Sequence, residues 1–217
     1  FHHIVQSAGS LHTRGGSPFL KHGSANYFMH NANIFTVVKS YESAFKLGSM
    51  GREIGTVTED RGAGIAGVSG TISSGIPVRF HLKDIDMGRD KQSNVKVIED
   101  KDMTPTLAAT ALYNMLNKTL DRSGAGTAKI TYTITPRNGE QKSLTRTNMF
   151  YSSESISEKT VDEFYNVIDV LMNNRFINYE IADINVETEV TQDKKTAKLV
   201  DAAASSTVVS PGDTIVV

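Results

Sequence analysis

Six histidines are the side chains of this sequence best suited to moving a proton or ligating a metal near neutral pH, and their spacing offers two arrangements. His2 and His3, with His12, form a possible metal-ligand group. Adjacent histidines at a ragged terminus are more often disordered, and no metal site is assigned. His12, His22 and His30 fall close together and could serve as a general base. A serine hydroxyl is a weak nucleophile until an imidazole accepts its proton and backbone N–H groups stabilise the oxyanion. Gly67-Val68-Ser69-Gly70 offers a hydroxyl in a glycine-rich setting, so a hydrolase built on Ser69 with His22 or His30 is one reading. The structural alternative makes all three histidines solvated or hydrogen-bonding residues. His81 falls on the polar side of an alternating segment and reads as solvated.

Other groups carry weaker signals. Asp60-Arg61 could orient a catalytic imidazole, but Asp-Arg-Gly is more often a turn whose aspartate accepts from backbone N–H groups. Gly62-Ala63-Gly64-Ile65-Ala66-Gly67 is superficially like a dinucleotide fingerprint, yet no helix pattern follows it, and no cofactor is assigned. Glu187, Glu189 and Asp193 alternate as the solvated face of a strand. The absence of cysteine excludes disulfides, thiolate nucleophiles and cysteine-based zinc sites. With 23 basic and 24 acidic side chains interspersed, no basic block marks a nucleic-acid surface. No apolar run reaches the roughly 20 residues of a membrane span.

The elements that must position these groups change character along the chain. Residues 1–75 are glycine-rich and read as bent β structure, with strands at Ala32–Val38 and Glu53–Thr58. Ile76, Val78, Phe80 and Leu82 alternate with polar partners as a half-buried strand, answered by a second strand at Ser93–Ile98. Thr104-Pro105 predicts a helix start with Thr104 as N-cap, before a stripe of Leu107, Ala108, Ala111, Leu112, Met115, Leu116 and Leu120. The order repeats. Strands are expected at Lys129–Thr135 and Ser143–Tyr151, joined through Asn138-Gly139. A capping box of Ser155 and Glu158 opens a helix with Val161, Phe164, Tyr165, Ile168, Leu171 and Met172 inward. Strands at Asp183–Thr191 and Ala197–Asp201 complete a ββαββαββ unit.

The expected class is therefore α+β, with two helices on a mainly antiparallel sheet. The expected organisation is a glycine-rich β part over 1–75, an α+β domain over 76–203 and the start of a further β module over 204–217. Tyr113, Met115, Phe164, Tyr165 and Met172 are expected in the core. The first residue is not Met, and the last four are the β-type run Thr214-Ile215-Val216-Val217, which gives the expectation of a piece of a longer protein.

Two stretches together carry a family likeness. One is Gly16-Ser17-Pro18-Phe19-Leu20 with Asn26-Tyr27-Phe28. The other runs from Lys46-Leu47-Gly48-Ser49 through Gly51, Gly55-Thr56-Val57-Thr58 and Asp60-Arg61 to Gly64-Ile65-Ala66-Gly67, followed by Ile76-Pro77-Val78. The helix run Leu107 to Leu112 and Pro211-Gly212-Asp213-Thr214 fit the same pattern. The sequence resembles long-chain bacterial members of the SpoIVB-type serine peptidase family. That resemblance implies an extracytoplasmic setting, in the cell envelope, spore or medium, and a protein or peptide as substrate or partner. It also implies a nucleophile in a Gly-Met-Ser-Gly-Ser-Pro type motif, which this sequence lacks, and a base in Gly-His-Pro-Phe-Leu, where Ser17 stands in place of the histidine. The expectation is a catalytically incomplete peptidase scaffold, with a non-catalytic protein-binding module as the alternative.

Overall fold

A computed structural model describes residues 27–39, 45–61, 64–120, 124–198, 200–201, 203–206, 208–212 and 214–215. The strands fall into two sheets. In the first, β1 (Tyr27–Val38), β2 (Phe45–Arg61) and β3 (Gly64–Ser69) pair antiparallel in that order. The second contains β4 (Ile76–Asp84), β5 (Arg89–Val97), β6 (Gly126–Pro136), β7 (Leu144–Ser152) and β8 (Ile181–Thr191), in the order β5-β4-β8-β6-β7. Among the described residues only the β4–β8 pairing is parallel.

Helices α1 (Thr104–Leu120) and α2 (Ile156–Met172) pack on one face of the five-stranded sheet and on each other. The apolar alternation dictates this. Ile76, Val78, Phe80 and Leu82 of β4, and Ile130, Tyr132 and Ile134 of β6, turn inward against Leu112, Leu116, Phe164 and Ile168. All of these are essentially inaccessible to water, and burying each such side chain contributes about 1.5–3 kcal/mol. The α+β class and the two helices on one sheet match the sequence expectation.

The helix ends are held by polar groups the sequence only partly reveals. Ser155 caps α2, accepting the Glu158 amide, but the expected capping box is only half formed, because the Ser155 amide donates to the Ser152 hydroxyl and not to Glu158. Thr104 is fully buried and acts backwards along the chain: its hydroxyl donates to the Ile98 carbonyl (2.6 Å) and accepts the Asp100 amide (2.9 Å). Asp100 in turn accepts the amides of Asp102 and Met103. At the far end of α1, the Arg89 guanidinium donates to the carbonyls of Thr119 and Leu120, where a cation suits the helix dipole.

Three expectations need correction. Residues 197–198 and 200–201 are not a strand, so the unit is ββαββαβ. The chain leaving β8 is held by side chains and not by a ladder: the Thr127 hydroxyl donates to the Asp193 carbonyl and accepts the Lys195 amide, and the Lys194 ammonium lies over the Tyr151 ring. Tyr165 is exposed rather than in the core, because Phe164 and Ile168 take the inward positions of α2. Asp60 and Arg61 are not a turn; they stand in the β2 ladder opposite Ile65 and Gly64.

Candidate functional site

The residues of the serine–histidine arrangement fall into two groups. Ser17, His22, His12, His2 and His3 lie outside the described residues. His30 and Ser69 are described, and the sheet keeps them apart. His30 is on β1 and Ser69 on β3, with β2 between them, so two strand spacings separate their backbones by roughly 10 Å. Each is also engaged with a β2 carbonyl. The His30 Nδ1–H donates to Gly51 O (3.0 Å), because a carbonyl can only accept, and the Ser69 hydroxyl faces Ile54 O at 3.4 Å. These two residues do not form a nucleophile–base pair. Gly64–Ser69 is a strand rather than the start of a helix, which removes the dinucleotide geometry. Among the described residues there is no group of three or more metal-capable side chains, and no helix long and apolar enough to cross a membrane.

The three-stranded sheet instead presents a ribbon with two different halves. Its base is tied to the body. The Tyr27 hydroxyl donates to Met103 Sδ (3.3 Å), and the Thr56 hydroxyl to the Thr71 carbonyl (2.6 Å). Lys96 places its ammonium over the Phe28 ring (4.4 Å to the centroid) while pairing with Glu53 (2.7 Å). Met29 lies across Gly55 and Gly67, where a Cβ on either glycine would meet its Cε (2.6 Å) or Sδ (3.2 Å). Gly75, at φ 54°, leaves room for Phe28.

Among the described residues this support ends beyond His30. Every residue from Asn31 to Val37 is exposed, as are Lys46, Leu47, Ser49 and Met50 on β2. Ile34, Val37, Leu47 and Met50 present large apolar side chains to water, and Phe35 is 70% exposed. Phe35 is the extra residue at a register shift between Ile34 and Thr36, which aims it out of the regular ladder. A two-stranded ribbon without a covered face is marginal by itself, and grouped exposed apolar side chains mark a surface that meets something else. Periodicity could not reveal this: Ile34-Phe35-Thr36-Val37-Val38 is apolar at both parities, which reads equally as a buried strand.

The outward face of the larger sheet is polar. One cross-strand row runs Asp90, Lys83, Glu189, Lys129, with signs alternating, and the next contains His81 and Glu187. His81 pairs with Asp90 (2.8 Å) and Arg79 with Asp183 (2.8 Å). Glu187 and Glu189 are exposed, as their alternation predicts. The shallow depression over His81 is lined by Lys83, Lys129, Glu187 and Glu189, whose charges neutralise one another. It offers no concentrated field for an ionic ligand.

On the helix side, Glu163 of α2 gathers three donors: the Tyr132 hydroxyl (3.1 Å), Arg146 Nε (2.6 Å) and Asn148 Nδ2 (2.6 Å). Burial first, and the Glu163 carboxylate second, push the Tyr132 phenol well above its ordinary range. The Arg146 guanidinium is raised by the same carboxylate. This cluster locks α2 to β6 and β7. The inward Tyr132 is fully buried, its ring meeting Phe164 edge-on.

No protein-family model, curated protein or solved structure matches the chain.

Proposed function

We propose that this chain is a SpoIVB-like peptidase scaffold that holds polypeptide without cleaving it, in the extracytoplasmic setting the resemblance implies. The observation carrying this reading is the outer half of the β1–β2 ribbon, where Ile34, Phe35, Val37, Leu47 and Met50 are all exposed. An extended polypeptide could cover these side chains, and burying one aromatic of this kind contributes about 1.5–3 kcal/mol. Two further points support the absence of cleavage. Ser17 stands where the resembled family has its base, and a hydroxyl cannot accept a proton near neutral pH. Ser69 faces a carbonyl, with the His30 imidazole on the opposite edge strand.

The reading is tested by exposing the chain to a fluorophosphonate probe and to a dye-labelled casein, an extended polypeptide. The expected result is no covalent labelling, no new peptide termini and a saturable rise in anisotropy. Labelling at Ser69 with release of fragments would make the chain a hydrolase and end the holding reading.

A further inference from the structure

Among the described residues the two sheets have four edge strands, and three carry features that discourage pairing with another strand. β1 has three register shifts. β3 is six residues long and opposes a shift in β2. β5 carries Asp90, Lys91 and Lys96 among its nine residues. Bulges, short length and lysines are the devices by which edges resist pairing. The fourth edge, β7, has none of them. Leu144-Thr-Arg-Thr-Asn-Met-Phe-Tyr-Ser152 pairs with β6 over nine consecutive residues without a shift. It contains no lysine and no proline, and its one charge, Arg146, is already committed to Glu163.

The backbone of β7 shows which groups face the open edge. The Met149 amide is met by the side-chain Oδ1 of its neighbour Asn148 (3.0 Å), a local substitute for a strand partner. Met149 N–H therefore points away from β6, and so do the amides and carbonyls of Thr145, Thr147 and Tyr151, which share its parity.

We infer that β7 is a homodimer interface, two copies pairing antiparallel through it about a twofold axis at Asn148 and joining their sheets edge to edge. This axis is the one that overlaps the whole strand, and it makes the strand complementary to itself. Thr147 meets the partner's Met149 and Thr145 meets the partner's Tyr151, all residues of the outward-pointing parity. Each such pair exchanges two main-chain hydrogen bonds. On the helix side Arg146 meets the partner's Phe150, a cation beside a ring, and not a second arginine. No like charges come opposite each other. Thr147 and Met149, the latter 51% exposed, form the centre of the contact on the outer face. This surface is separate from the β1–β2 ribbon and does not depend on it.

The test is sedimentation of the intact chain across the micromolar range. Wild type is expected to be a dimer. The double variant Thr147→Lys with Met149→Lys puts lysine opposite lysine twice and is expected to be monomeric. Thr147→Lys with Met149→Glu puts opposite charges face to face in the same register and is expected to restore the dimer. Because the chain has no cysteine, Asn148→Cys provides an independent check. Across the axis its Cα would stand about 4.5 Å from its own copy, within disulfide range, whereas Thr145→Cys would stand about 20 Å away. Rapid disulfide dimers are expected for the first cysteine variant and not the second. A monomeric wild type, a dimer indifferent to the lysine pair, or equal cross-linking of both cysteines would each overturn the assignment. Uptake of a foreign strand by a monomeric wild type would do the same.

Discussion

Tyr132 concentrates the residue-scale chemistry of this molecule. Its ring is buried against Phe164, and its hydroxyl donates to Glu163, which Arg146 and Asn148 also hold. The phenol's folded pKa is raised above the ordinary 10.0, so the folded state favours the neutral form. The resulting stabilisation is complete below pH 10, where an unfolded phenol is still protonated. It is lost as pH rises from there toward the folded value. Tyr132→Phe should therefore lose less thermal stability than wild type between pH 9 and about 11.5. Tyr179, also raised by burial, titrates in both proteins and cancels from the comparison. Parallel curves for the two would show that Tyr132 does not carry this pH dependence. A second residue-scale prediction concerns Thr104. Thr104→Val preserves shape but strands the Ile98 carbonyl and Asp100 amide, so urea unfolding should show a loss of about 1–3 kcal/mol.

Among the elements, the sequence is most informative where one face is buried. Alternation in Ile76–Leu82 and Lys129–Thr135, and the 3.6-residue stripes of both helices, located β4, β6, α1 and α2 because each has a wet and a dry side. The signal failed where tertiary contacts decide. Ala197–Asp201 has a passable strand composition, but the chain leaving β8 is tied by side-chain contacts to Thr127 and Tyr151. Thr104 reads as an ordinary N-cap from its Thr-Pro pair, whereas its use by Ile98 and Asp100 follows from a turn that spacing does not encode. The apolar ribbon was invisible for the opposite reason: composition does not tell an exposed apolar strand from a buried one. The glycines of the first sheet do have a specific role. A Cβ at Gly55 would sit 2.2 Å from the Val68 carbonyl and 2.9 Å from Ser69 Cα, so backbone must move. Gly55→Ala should abolish amide-exchange protection along β2 and β3 while leaving β4, β6 and β8 protected. Unchanged protection in β3 would contradict the packing described for that glycine.

At the scale of the molecule, the described residues pair a well-buried five-stranded sheet under two helices with a ribbon whose outer half is exposed. The candidate site was legible only in outline. The sequence supplied serines and histidines of suitable type, but the register places His30 and Ser69 on opposite edges of β2, a relation that residue spacing cannot express. The ribbon's exposed side chains then carry the functional account. The most direct test is a titration of dye-labelled casein with the intact chain and with Phe35→Ser, followed by anisotropy. Removing Phe35 should weaken binding by roughly 10- to 100-fold, the equivalent of about 1.5–3 kcal/mol, with casein intact throughout. Equal affinity for the two proteins, or casein cut by either, would contradict it.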